Sequence, residues 1–144
     1  MQGNATGSDD DGLRALFEAA LATRDRAHAP YSRFAVGAAL RDEHGRIHAG
    51  CNVENAAYPV GTCAEAGAIA AMVAGGGRRI TAILVCADAP VPVTPCGACR
   101  QRIREFAGPD VPILCAGPGG LLARFTLDAL LPASFGPDHL GGTP

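Results

Sequence analysis

Two short stretches, Thr62-Cys63-Ala64-Glu65 and Thr94-Pro95-Cys96-Gly97-Ala98-Cys99-Arg100-Gln101, constrain this chain more than any other feature. Cys63 and Cys96 stand 33 positions apart. The residues between them read as one helix, one strand and a loop, so both stretches can return to one edge of a sheet. Three thiols and a carboxylate then share a pocket. Three thiolates suit a soft-tolerant ion such as zinc, and three protein ligands instead of four leave a position open for water, the catalytic and not the structural arrangement. All three cysteines fall at or within a turn of a helix start, where free N–H groups and the positive dipole end favour anionic sulfur. Glu65, two residues past the first thiol, stands where it can handle a water's proton.

Hydrophobic periodicity places these stretches in a fold. Leu13, Leu16, Phe17, Ala20 and Leu21 give a helix one apolar stripe, with Asp10 or Asp11 as its cap. Residues 34–40 are small and apolar, as in a strand covered on both faces, and Asp42-Glu43-His44-Gly45 turns the chain into a second strand over 46–50. A loop over 52–62 leads to a helix from Cys63 that Gly75-Gly76-Gly77 stops. Residues 80–87 are the clearest buried strand. Pro90, Pro92 and Pro95 hold an irregular connection before a helix over 97–106. A strand follows over 111–116, in which Pro112 asks for an edge or a first position. Thr126 caps a last short helix over 127–131. Alternating strands and helices imply crossovers and a mainly parallel sheet. With the opening hairpin, the expected fold class is α/β, a three-layer sandwich around a mixed five-stranded sheet.

Composition narrows the function. A hydrophobic share of 48% with 18% charged residues excludes disorder for the 144-residue chain as a whole. Residues 1–12 read as a disordered acidic tail and 13–144 as a single catalytic domain. No apolar run reaches the roughly 18 residues of a membrane span. The start carries no basic region followed by an apolar stretch, so the cytoplasm is the expected compartment. A net charge of −2 and 5% aromatics leave no basic footprint for nucleic acid, which favours a small substrate. Six cysteines would suit a disulfide framework in a secreted domain. Without a secretory start, Cys86 and Cys115 read better as small buried hydrophobes, and Cys51 is open.

These residues resemble the zinc-dependent cytidine deaminases, in their small, homotetrameric, three-cysteine class. The likeness runs from Tyr31-Ser32-Arg33-Phe34-Ala35-Val36-Gly37 through Cys51-Asn52-Val53-Glu54-Asn55-Ala56-Ala57-Tyr58 to Leu130-Leu131-Pro132-Ala133-Ser134-Phe135-Gly136-Pro137. It implies the same sandwich and one zinc per chain on Cys63, Cys96 and Cys99. The implied reaction is hydrolytic deamination of cytidine and 2′-deoxycytidine to uridine and 2′-deoxyuridine plus ammonia, in pyrimidine salvage. Glu65 would shuttle the protons. Asn52 and Glu54 would hold the ribose, Phe34 would cover the pyrimidine face, Ala64 would line the substrate site, and Phe135 would reach a neighbouring subunit's pocket. The implied partners are a pyrimidine nucleoside and sister subunits of a homotetramer, with neither nucleic acid nor membrane.

Read without the resemblance, several residues have plainer roles. Asn52 and Glu54 make a solvated loop, Phe34 a core strand residue, and Phe135 an apolar residue near the end. Cys96-Gly97-Ala98-Cys99 is also placed as a thioredoxin-like redox pair. A structural zinc site could recruit Cys51, His44 or His48 as a fourth ligand. Within the deaminases, another aminated nucleoside such as blasticidin S is the alternative substrate. The sequence departs from the family at one point, since many members of the small class have Arg directly after the catalytic Glu, where this chain has Ala66-Gly67. Zinc with three thiolates carries one excess negative charge, and Arg100, next to Cys99, is the nearest cation in sequence to offset it.

Overall fold

Of the residues in Ile80–Ala87 only Thr81 is polar, and this strand takes the middle of the sheet. The computed structural model describes residues 5–142. In chain order the elements are α1 (Ala5–Arg24), β1 (Val36–Asp42), β2 (Ile47–Cys51), α2 (Ala64–Ala74), β3 (Ile80–Ala87), α3 (Gly97–Phe106), β4 (Pro112–Gly117), β5 (Gly120–Thr126) and α4 (Leu127–Leu130). Single 3₁₀ turns lie at Tyr58–Val60 and Pro137–Leu140. The five strands lie in the order β2-β1-β3-β4-β5.

The sheet is mixed, as expected, but it is not mainly parallel. Only β3 and β4 form a parallel pair, while β1–β2, β1–β3 and β4–β5 are antiparallel. The directions explain the difference. β2, β3 and β4 do run the same way, as crossovers through α2 and α3 require, but β1 inserts between β2 and β3 and pairs antiparallel with both. The edge strand β5 is absent from the sequence reading. Its Leu121 and Leu122 are both exposed, at a register shift opposite Cys115 and Ala116, and burial alternates only from Leu122 on, so its apolar residues give no clear period-2 signal. Pro112 is the first residue of β4, where its missing N–H interrupts no ladder.

Successive side chains of the central strands feed two cores. Leu84, Cys86, Leu114 and Ala116 join Leu16 and Ala20 of α1 on one face. On the other, Leu40, Ile83 and Ile113 pack with Ala68, Ile69 and Met72 of α2 and Ile103 of α3. The three layers are therefore α1, the sheet, and α2 with α3. The first helix begins at Ala5, so Asp10 and Asp11 lie inside it and do not cap it. The turn ahead of Leu13 is held on the sheet by Arg41, whose Nη2 donates to the Gly12 carbonyl at 2.9 Å. Residues 1–4 of the expected acidic tail lie outside the described residues.

Two close approaches fix the helices on the sheet. A Cβ at Gly37 would strike the Ala20 carbonyl of α1, and one at Gly50 would strike the backbone of Ala64, Gly67 and Ala68 in α2. The first half of α2 is thus pressed on β2 with no side chain between. At the hairpin, buried Asp42 accepts from the N–H groups of His44 and Arg46, and its Oδ2 meets Arg46 Nε at 3.0 Å and His48 Nε2 at 2.8 Å. Burial alone would raise the pKa of this carboxyl. The hydrogen bonds from His48, Arg46 and His44, with the Arg46 charge, more than offset that and hold it far below the usual carboxylate range.

Candidate active site

Because β2 and β3 point the same way, α2 and α3 both start at one edge of the sheet, outside the strands' carboxyl ends. Cys63 is the N-cap of α2 and Cys96 the N-cap of α3, each in extended backbone and neither making a side-chain cap hydrogen bond. Cys99 is the third residue of α3. The thiols of Cys63 and Cys96 lie 3.9 Å apart, and all three sulfurs lie within 4.8 Å of one another. Tetrahedral zinc with Zn–S of about 2.3 Å needs sulfurs about 3.8 Å apart, so the cluster fits that ion with only small adjustment.

Among the described residues no fourth His, Cys or carboxylate joins this cluster. His48 pairs with Asp42, His44 lies by Glu43, and Cys51 stays outside. The four-ligand structural site therefore has no support. Nor do Cys96 and Cys99 stand apart as a redox pair, since Cys63 closes on them and all six cysteines are free thiols.

Electrostatics differ among the thiols. Burial alone would raise Cys96, but hydrogen bonds from the Cys99 and Ala98 N–H groups and from the other two thiols bring it below its ordinary value. Burial pushes Cys63 and Cys99 up, and neighbouring negative charge adds to both. Of the three, Cys96 gives up its proton most readily, and holding all three as thiolates requires a divalent cation among them. Glu65, in the first turn of α2, is 4% exposed. Burial raises its pKa, and its own N–H, the Cys99 thiol and the Arg102 charge offset only part of that. A carboxyl in this state binds a proton more readily than a solvated one, as a group that takes up a water's proton must.

A cavity of about 380 Å³ opens over the cluster, lined by Cys63, Ala64, Glu65 and Cys96 together with Phe34, Asn52 and Glu54. That is within the range of small-ligand sites. Val36, Val53, Val85 and Val93 make its apolar walls, and Ser32 and Thr94 add hydroxyls. Phe34 is not in the strand, which starts at Val36. Arg33, at φ 56°, bends the chain just before it. The Asn52 amide straps this bend, accepting from Val36 N–H at 2.8 Å and donating to the Phe34 carbonyl at 2.8 Å. Glu54 Oε1 accepts the N–H groups of Tyr31 at 2.9 Å and Ser32 at 3.1 Å. Hydrogen bonds from Ser32 and Tyr31 keep its carboxyl below its ordinary pKa. Asn52 and Glu54 thus belong to a tied segment facing the cavity, not to a solvated loop.

Phe135 stands apart. It is 58% exposed, stacks on His139 with ring centroids 5.1 Å apart, and does not line this chain's own cavity. Arg100 departs from expectation. Its guanidinium holds the Pro95 carbonyl at 2.7 Å, the Leu130 carbonyl at 2.8 Å and Thr94 Oγ1 at 2.9 Å, turned away from the sulfurs. The cation at the cluster is Arg102, whose Nη1 donates to Cys99 Sγ at 3.4 Å. Sequence reasoning missed it, although its spacing of three from Cys99 on a helix was a usable signal.

Residues 11–115 match the family model described as the cytidine and deoxycytidylate deaminase zinc-binding region. A cytidine deaminase from Sporosarcina psychrophila is 44% identical over 117 residues, spanning 81% of this chain and 86% of the relative. One from Halalkalibacterium halodurans is 41% identical over 120 residues, 83% of this chain and 91% of the relative. The crystal structure of cytidine deaminase from Burkholderia pseudomallei superposes with a TM-score of 0.80 at 42% identity, covering 85% of this chain and 98% of that one. The chain belongs to the cytidine and deoxycytidylate deaminase family, whose matched region binds zinc. Among the described residues no helix is long and apolar enough to cross a membrane.

Proposed function

We propose that this protein hydrolytically deaminates cytidine and 2′-deoxycytidine to uridine and 2′-deoxyuridine, releasing ammonia, as a cytoplasmic enzyme of pyrimidine salvage. The observation that carries the reading is a buried carboxyl, Glu65, beside three converging thiols at a cavity of nucleoside size. Cys63, Cys96 and Cys99 hold one zinc per chain. Bound there, zinc supplies a water acidified from a pKa of about 15.7 towards neutrality.

Glu65 takes one proton from that water as its oxygen bonds to C4 of the base, and delivers the proton to N3. It then carries the second proton to the exocyclic nitrogen, so that the C4–N bond breaks and neutral ammonia leaves. Burial suits Glu65 to this exchange, because a carboxylate whose pKa is raised is a stronger base and takes the water's proton more readily than a solvated one. Phe34 covers the pyrimidine face. Ala64 begins α2, where first-turn N–H groups are free of helical partners, and it offers that donor to the base. Glu54 Oε2 and the remaining hydrogen-bonding capacity of Asn52 receive the ribose hydroxyls.

The active form is a homotetramer in which Phe135 enters a neighbouring subunit's pocket. Exposed Phe34, Val53 and Tyr58 in the lining of the cavity support this, since monomers rarely leave such apolar side chains open. The test is ammonia release and the ultraviolet change from zinc-loaded protein with cytidine and with cytosine, alongside light scattering. Cytosine is expected to react far more slowly, because it leaves the ribose-binding groups unpaired. Equal rates for the two, or no ammonia from cytidine, would refute the assignment.

A further inference from the structure

Each ligand-bearing helix has one position, other than a ligand itself, three residues past a cluster cysteine, where a side chain lies over that cysteine. On α2 the position after Cys63 is Ala66, which has no charge to offer. On α3 the position after Cys99 is Arg102. Among the described residues, its guanidinium has Cys99 Sγ as its hydrogen-bond partner, and that sulfur belongs to a fully buried residue. The other arginines of α3 are engaged elsewhere, Arg100 on three loop oxygens and Arg104 on Ser134 and Asp138.

We infer that Arg102 is a positioning residue for the metal centre, supplying from α3 the positive charge that offsets the excess negative charge of three thiolates around a divalent zinc. This rests on the ligand set proposed above. Cys99 is the sulfur that most needs such a partner, being the deepest of the three. A hydrogen bond from a cation to a metal-bound thiolate lowers the charge density on sulfur without removing it from the metal. It also fixes the sulfur's direction.

Partners of this kind change metal affinity by about 10- to 100-fold when removed. Arg102 is solvent-facing outside its contact with Cys99, so screening puts the expected loss near the low end, about tenfold. The experiment measures zinc affinity by competition with a chelator for wild type, Arg102→Gln, Arg102→Lys and the double variant Ala66→Arg/Arg102→Gln. Each is measured at low and high salt, with thermal melting of the metal-free proteins beside it. The expected result is an about tenfold loss in Arg102→Gln, a smaller one in Arg102→Lys, and recovery in the double variant. The gap should narrow at high salt, and metal-free melting should not change. An Arg102→Gln affinity within about twofold of wild type overturns the inference, and so does a salt-independent loss that tracks the metal-free melting temperature. Cys99→Ala separates the two levels. Full zinc in that variant refutes the ligand set, whereas loss of zinc there with wild-type affinity in Arg102→Gln refutes only the role of Arg102.

Discussion

Replacing Gly50 by Ala should damage catalysis through packing alone, because no atom of Gly50 is needed in the reaction. An added Cβ would sit 2.6 Å from the Ala64 carbonyl oxygen and 2.7 Å from the Gly67 carbonyl carbon, and closer still to the Ala68 nitrogen. All are backbone atoms of α2, which cannot rotate aside as a side chain would. Ordinary contact begins at about 3.4 Å, so the first turns of α2 must retreat from β2 by about 1 Å to clear the nearest of these atoms. Cys63 and Glu65 ride on that segment, whereas Cys96 and Cys99 belong to α3 and stay behind. Overpacking of this kind costs about 1–3 kcal/mol of stability. A displacement near 1 Å at reacting groups costs on the order of 100-fold in rate. The expected outcome for Gly50→Ala is a lower melting temperature, a fall of about tenfold to 100-fold in kcat/KM for cytidine, and weaker zinc retention. Gly108→Ala is the control, since a Cβ there meets nothing within 4 Å. If Gly50→Ala matches wild type in melting and in kcat/KM, the close approach of α2 to β2 does not set the geometry of the site.

Glu65→Gln keeps the shape of the buried side chain but cannot exchange protons, so it should retain zinc and melting temperature while losing about 100- to 10,000-fold in kcat. A variant with near-normal turnover would remove Glu65 from the mechanism. Asp42→Asn should lower the melting temperature at pH 7. Because the folded-state pKa of Asp42 is depressed, the stabilisation is complete above the unfolded value of about 3.9 and disappears as pH falls through the folded value. The melting gap between wild type and variant should therefore begin to narrow below about pH 4 and go on narrowing toward the folded value, and a gap that stays constant as pH falls through this range would show that the clasp at the hairpin does not depend on the Asp42 charge.

The sequence made the ends of β3 and α3 legible to the residue, because each is bounded by strong signals. The apolar run 80–87 meets polar residues on both sides, and Cys96 opens α3 after a stretch rich in proline. What it concealed had no local signature. The antiparallel partnering of β1 with β3 is a choice of neighbour, and the crossovers fix only strand direction. β5 is an exposed edge whose leucines do not alternate. The start of α1 was obscured because Asp10 and Asp11 look like caps, although the helix continues through them to Ala5. At the site, Phe34 read equally well as core, and only the bend at Arg33 and the Asn52 strap turn it to the cavity.

The two arginines show most plainly how adjacency in sequence misleads and helical geometry corrects. Arg100 follows Cys99 directly, which made it the nearest cation by position. Adjacent residues on a helix point about 100° apart, however, so a side chain one step from a buried sulfur is carried around to a different neighbour. Arg100 accordingly turns to the loop that delivers Cys96, where it holds the Pro95 carbonyl, the residue before that cysteine, and ties the loop to the end of α4 through the Leu130 carbonyl. Arg102, three steps on, lies over Cys99 and reaches its sulfur. The same rule makes Ala66 the equivalent position for Cys63, so a charge needed at the cluster can enter from either helix and here enters from α3. Arg100→Gln should then disturb the loop, visible as a lower melting temperature in metal-free protein, whereas Arg102→Gln should disturb the metal alone. Were the two variants to exchange these phenotypes, the contacts drawn here for both side chains would be wrong.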